Sequence, residues 1–304
     1  MKPTLLRHLL YHYFDRVRFP RHKVSKLTYT EKSVDAKQTP SYSQLVPFNV
    51  WQTWKTIHLP PRIFRFVKRF RQLNQEYSHH LFTDLDCDNF IREFYRGTQV
   101  ETAYFRLNPI FGAARADFWR YCILYQYGGV YLDIDSTCIT PLRSIIRSGD
   151  RAVLSHENNS ISSWKTSLNK LGFNDFLEIP PANTLIDPDK VLLQWLLIYT
   201  PKHRFLERVI EDMSEAIITY REVKNRLRPS GHLRTVALTG PLRYTNSVWN
   251  VLKHPSLIAP DYRLDGIDFS GKSIFQFPGQ SDKDRQAKHY ATLSDKIVLD
   301  NLES

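Results

Sequence analysis

Apolar and polar positions change period most sharply between residues 108 and 135. From Phe111 to Tyr127 the apolar side chains, among them Phe118, Cys122, Ile123 and Tyr125, recur at helical spacing, and Asn108-Pro109 ahead of them is a capping residue followed by a helix-opening proline. The paired glycines Gly128 and Gly129 end that pattern. Val130 to Asp135 then reads as a strand, because Val, Tyr, Leu and Ile suit a pleated, half-buried surface. Side chains on a strand alternate, so Val130, Leu132 and Ile134 share one face while Tyr131, Asp133 and Asp135 share the other.

The same reading places a strand at Phe48 to Lys55, a helix opened by Pro60-Pro61 and running to about Asn74, and a short strand at His79 to Phe82. Asp84, Asp86 and Asp88 imitate the start of a calcium loop, but such a loop needs Gly at its sixth position and Glu at its twelfth; Asn89 and Tyr95 stand there. These acids are expected to cap the helix containing Phe90, Ile91 and Phe94. Farther on, Arg151 to Ser155 reads as a strand. Asp187-Pro188-Asp189 reads as the cap of an apolar helix from Val191 to Ile198 rather than as a metal site, and a further helix runs from Pro201 to Tyr220.

At 304 residues with 42% hydrophobic side chains, the chain suits one large domain or two small ones and is neither disordered nor fibrous. Cys87, Cys122 and Cys138 are odd in number and lack metal-ligand spacing, so buried free thiols in a reducing interior are expected. The net charge of +11 is uneven: residues 1 to 75 hold 15 Lys or Arg against three acids, a net +12, which leaves about −1 for the rest. Leu5, Leu6, Leu9, Leu10, Tyr13, Phe14 and Val17 at helical spacing, opposite Arg7, Arg16 and Arg18, form a basic amphipathic pattern. Such a helix either packs on its own domain or attaches residues 1 to 23 to a membrane surface. No apolar run reaches the length of a membrane span and no cleavage site follows, so the expected location is the cytoplasm or, peripherally, the inner face of its membrane. Residues 1–46 are thus read as a basic extension and connector, and 47–304 as the main domain. In the helix after Pro61, Phe66 and Phe70 lie at helical spacing among Arg65, Lys68, Arg69 and Arg71. That points to core packing with a solvated basic face rather than to nucleic-acid contacts.

Two carboxylates one pleat apart repel unless a cation lies near them, and hard divalent ions take one or two carboxylates plus substrate phosphates as ligands. Asp133 and Asp135 are therefore a candidate seat for Mn²⁺ or Mg²⁺ carrying a diphosphate. Asp117 and Arg120, three residues apart, share a helix face that the Gly-Gly turn brings back beside the strand.

The run Ala114-Arg115-Ala116-Asp117-Phe118-Trp119-Arg120-Tyr121, then Leu124-Tyr125, then Gly128 to Asp135 resembles the sugar-nucleotide core of glycosyltransferase family 32. That family includes the fungal mannosyltransferases that begin outer chains and is related to the glucosylating domains of large bacterial toxins. The resemblance spans about residues 47 to 295 and is densest from Ala114 to Asp135. It implies a GT-A fold, a Rossmann-like α/β domain that binds a nucleotide-sugar and a divalent cation. It assigns donor-sugar contacts to Asp117 and Arg120, a ribose or sugar contact and a share of the metal to Asp133, and metal binding to Asp135. Gln52, Thr53 and Trp54 match the family's first strand, which borders the nucleotide, with Trp51 in place of its His. Leu238-Thr239-Gly240-Pro241 matches a tight loop on the active-site side. His289 and Ser294 stand where a late His and Ser complete the metal and diphosphate shell, although Asp295 replaces the family's Trp.

The implied activity is metal-dependent, retaining transfer of a hexose from a UDP- or GDP-sugar to a hydroxyl of a saccharide or lipid-linked saccharide. A second reading is open, because Asp133-Ile134-Asp135-Ser136-Thr137 also satisfies the D-x-D-x-T signature of haloacid-dehalogenase-like phosphatases, in which the first Asp attacks phosphorus. That signature normally lies near an N-terminus, and no later acidic pair completes its Mg²⁺ site here.

Overall fold

In the computed structural model the described residues are 33–138, 140–162, 186–187, 189–220, 231–253, 261–267, 275–276 and 293–299. The chain divides into two units, Met1–Thr30 and Glu31–Ser304, and the described residues all belong to the second. The amphipathic helix expected over residues 1 to 23 lies outside them.

The first half alternates strands and helices. β1 (Ser33–Val34) and β2 (Asn49–Thr53) precede α1 (Pro61–Leu73), β3 (Ser78–Phe82), α2 (Asp84–Phe94), α3 (Gln99–Arg106), α4 (Gly112–Tyr127) and β4 (Gly129–Leu132). The second half follows with β5 (Thr137–Cys138), a 3-10 turn at Leu142–Ser144, β6 (Ala152–Ser160), β7 (Lys190–Leu192) and β8 (Leu196–Tyr199). It continues through α5 (Arg204–Ile218), α6 (Gly231–Leu238), α7 (Pro241–Leu252), β9 (Arg263–Ile267) and β10 (Phe275–Gln276). The main sheet runs β1-β3-β2-β4-β8-β6-β7, with β9 paired to β6, while β5 and β10 form a small ribbon. β3, β2 and β4 are parallel and β8 is antiparallel to β4. This mixed sheet with helices on its faces is the α/β architecture expected from the sequence.

Two packed layers flank the sheet. On one face Trp51, Phe82 and Tyr131 meet Phe118, Trp119 and Tyr121 of α4; on the other Val50, Val130, Leu132 and Ile198 meet Val46, Phe70 and Leu142. α4 is enclosed nearly all round, with Asp117 to Tyr125 buried without a break, so its polar residues are core residues too. The turn after it needs its glycines. Gly128 and Gly129 have φ of 62° and 101°, and a Cβ on Gly129 would lie 2.5 Å from the Asn49 carbonyl oxygen. Trp51, where a His was expected, is core: its indole stacks on His80 and donates to the Gly128 carbonyl at 2.8 Å.

Four expectations change. α4 begins at Gly112 with Phe111 as its flanking residue, so Asn108-Pro109 does not open it. Asn108 instead bonds distant residues, donating its backbone N–H to the Ile297 carbonyl at 2.9 Å and its side-chain amide to the Lys296 carbonyl at 2.8 Å. Val191 to Ile198 is not a helix but β7 and β8, because Val191, Leu192, Leu193, Leu196, Leu197 and Ile198 are all buried and a strand enclosed on both faces needs no alternation. Asp189 accordingly does not open a helix over Val191 to Ile198 and bonds Ser160 and Ser162. β4 stops at Leu132, and Asp133 to Ser136 close a turn through Ser136 N–H to the Asp133 carbonyl at 3.0 Å, so strand alternation does not extend to Asp135. Finally, parts of the expected connector are built in: β1 pairs with β3, and Val46 is fully buried.

Candidate active site

The acidic turn lies at the carboxyl end of β4, where the Asp133 N–H still donates to the Trp195 carbonyl at 2.9 Å. α4 returns beside it through the Gly-Gly turn. Arg120 Nη2 lies 3.0 Å from Asp117 Oδ1 and 3.1 Å from Asp133 Oδ1, so one guanidinium bridges helix and strand. Its Nη1 donates to the Gln194 carbonyl at 3.1 Å, and its plane sits over the Tyr131 ring with Cζ 4.5 Å from the centroid. The Tyr131 hydroxyl donates to Asp133 Oδ1 at 2.7 Å, and the Thr239 hydroxyl donates to Asp117 Oδ2 at 2.9 Å.

Burial gives this cluster its character. Asp117 and Arg120 are 6% and 4% exposed, whereas the Asp133 side chain keeps 25% of its surface open. Burial pushes the Asp117 carboxyl up to about 7, against the opposing pull of Arg120 and the Thr239 hydroxyl and with help from the neighbouring Asp133. Burial acts to lower the Arg120 pKa, but Asp133, Tyr131 and Asp117 outweigh it and hold the guanidinium charged. Two carboxylates share that one cation. Asp133 Oδ1 is held by two donors, and its other oxygen takes no hydrogen bond from the described residues. Asp135, in the turn, is 8% exposed.

Residues 60–178 match the family described as "Glycosyltransferase sugar-binding region containing DXD motif", and the bridging cluster sits inside that span. The region is similar to a glycosyltransferase sugar-binding region. An initiation-specific alpha-1,6-mannosyltransferase of Candida albicans is 33% identical over 125 residues, covering 39% of this chain and 32% of that protein. Inositol phosphoceramide mannosyltransferase 2 of Schizosaccharomyces pombe is 34% identical over 113 residues, covering 37% and 32%. The chain therefore spans about a third of the length of these relatives. Among solved structures, the PaToxG glycosyltransferase aligns over 68% of this chain and 70% of its own at 12% identity, with a TM-score of 0.45.

Within the matched region the structure brings Asp117, Arg120 and Asp133 into direct contact. Thr53, at the end of β2, reaches the Tyr131 hydroxyl on the same face. Gln52 and Trp54 point to the other face: register sets Gln52 beside Leu81 of β3, and Trp54 packs against the layer containing Leu81 and Ile134. His289 lies outside the described residues. Ser294 is exposed, in a segment whose neighbours Leu293 and Asp295 offer their carbonyls to Arg234.

Three supporting residues escaped sequence reasoning. Thr239 occupies the break between α6 and α7, the loop expected on the active-site side, but nothing in the sequence singles out its hydroxyl as the Asp117 partner. Gln194 presents its carbonyl to Arg120 while its amide binds the Tyr121 hydroxyl at 2.7 Å and the Thr239 carbonyl at 2.9 Å. A lone amide within the apolar run from Val191 to Ile198 was the available signal, since buried polar groups need partners. Tyr131 shares the face of Asp133 as expected, and its donor role emerges only from the geometry.

Proposed function

We propose that the chain transfers a hexose from a UDP- or GDP-sugar to a hydroxyl of a saccharide or lipid-linked saccharide, with retention of configuration and dependence on Mn²⁺ or Mg²⁺. The observation that carries this reading is the Arg120 bridge, which fixes Asp133 at the strand end with one oxygen held and the other directed outward. Two carboxylates, one partly open, suit a hard divalent ion that completes its shell with phosphate and water. Among the described residues no group of three or more His, Cys, Asp or Glu gathers, so the protein supplies part of a shell rather than a cage. Asp133 and Asp135 would hold that ion, with His289 as a further ligand. When bound, it offsets the negative charge that grows on a departing nucleoside diphosphate.

The remaining roles belong to side chains. Asp117, whose second oxygen is steadied by Thr239, accepts from a sugar hydroxyl, and Arg120 keeps the two acids apart and oriented. Thr53 borders the nucleotide at the end of β2, with Gln52 and Trp54 supporting that strand end from its other face. No carboxylate stands out as a nucleophile, so attack on the same face as departure is the route proposed. Two relatives are named mannosyltransferases, one acting on inositol phosphoceramide, and mannose on a lipid headgroup hydroxyl is therefore the first pairing to test.

The phosphatase reading needs Asp133 as a free nucleophile. Its Oδ1 is engaged by Arg120 and Tyr131, and the matched sugar-binding region surrounds it, so that reading is not favoured. The deciding experiment is nucleotide release from a panel of UDP- and GDP-sugars with Mn²⁺ and with EDTA, since glycosyltransferases slowly pass sugar to water. Release from one donor that EDTA abolishes supports the proposal. Metal-independent release, or no Mn²⁺-dependent nucleotide binding by titration, overturns it.

A further inference from the structure

The excess charge of residues 1 to 75 continues into the described structure on α1. Its thirteen residues hold Arg62, Arg65, Lys68, Arg69 and Arg71 and no acid. Ile63, Val67 and Phe70 are buried, which turns Phe64, Arg65, Lys68 and Arg69 outward. Among the described residues no carboxylate pairs with Arg65, Lys68 or Arg69. A basic face alone would be ordinary solvated surface. The outward face of α1, however, sets Phe64, 51% exposed, among the cations, and the loop just ahead of the helix exposes Ile57 to 45%. Charges without counter-ions around a large exposed aromatic side chain complement phosphate headgroups above an acyl layer.

We propose that α1 and the loop from Lys55 to Pro60 dock the chain on an anionic lipid surface. Arg65, Lys68 and Arg69 meet the lipid phosphates, and Phe64 and Ile57 enter between the headgroups. The buried side of the same helix packs Ile63 and Val67 against Ile134, the residue between Asp133 and Asp135. Docking therefore sets the acidic turn one helix away from the lipid. That this serves a lipid-linked acceptor rests on the transferase reading; the docking itself does not.

The test is flotation of the full chain with vesicles of phosphatidylcholine alone or with added phosphatidylserine. Binding is expected only to the second. Replacing Arg65, Lys68 and Arg69 together by Gln should weaken it about a hundredfold, at roughly fivefold per cation. Phe64→Ser should weaken it about tenfold, the effect of removing one inserted aromatic ring, and it decides the matter if the triple variant fails to fold. A charge-matched control, Arg96, Arg147 and Arg151 to Gln, removes equally exposed cations elsewhere and should cost no more than a few-fold. Absence of vesicle binding, or equal losses in the two triple variants, overturns the proposal. So does salt-sensitive binding to a single-stranded RNA that exceeds vesicle binding and is unmoved by Phe64→Ser.

Discussion

At the amino end of β4, Arg263 grips both oxygens of Asp150 at 3.0 and 2.8 Å and also pairs with Asp265, while Arg204 holds Asp261 at 2.7 Å. At the carboxyl end, Arg120 is shared between Asp117 and Asp133. The first cluster borders a cavity of about 680 Å³ lined by Arg151, Lys202 and Tyr262 among others. Yet its cations are answered by carboxylates within reach, and its arginines keep contact with water. The second is more deeply buried at its centre: the Asp117 and Arg120 side chains are 9% and 5% exposed, against 17% for Arg263 and 31% for Arg204. Partly hydrated ion pairs fasten a fold at modest gain, whereas a buried set costs more in desolvation and survives where charge is put to use.

That contrast can be broken by substitution. Asp135→Ala should have the largest effect, at least about a thousandfold loss of metal-dependent nucleotide release with the melting temperature little changed, as removal of a fixed electrostatic group does. An active Asp135→Ala chain would remove the carboxyl end's claim to the chemistry. Arg120→Ala leaves two carboxylates facing each other and should cost about 3–5 kcal/mol in urea unfolding as well as activity. Arg263→Ala, at the other end, should cost about 2 kcal/mol of stability and leave kcat and KM where they were. Loss of turnover there would erase the distinction between the ends.

The smallest effect sharpens the comparison through pH. Asp117 titrates near 7 in the folded chain and in the ordinary carboxylate range when unfolded, so between those values the folded state holds a proton that the unfolded state releases. Stability from this group is complete at low pH and declines as pH rises through about 7. Asp117→Asn should flatten that decline, seen as a smaller difference between urea midpoints at about pH 5 and about pH 8.

The carboxyl end was largely legible in the sequence because its parts are local. Asp117 and Arg120 share a helix face, Gly128 and Gly129 force the turn, and Tyr131 with Asp133 follow within a few residues. Where partners came from far along the chain, legibility ended: Thr239 and Gln194 reach this cluster across 122 and 74 residues. Short-range rules also erred where burial overrode them. The run from Val191 to Ile198 has the length of a helix, but enclosure on both faces made it two strands, and Asn108 forsook the helix beside it for the distant Lys296 and Ile297.

That last contact governs how the protein can be made. Leu107 bridges Val298, and Arg106 donates to the Leu299 carbonyl 193 residues downstream, so the approach to α4 is clasped by residues translated long after it. Translation thus delivers α4 long before its clasp, and closing so long a loop is slower than forming the local contacts within the helix and its Gly-Gly turn.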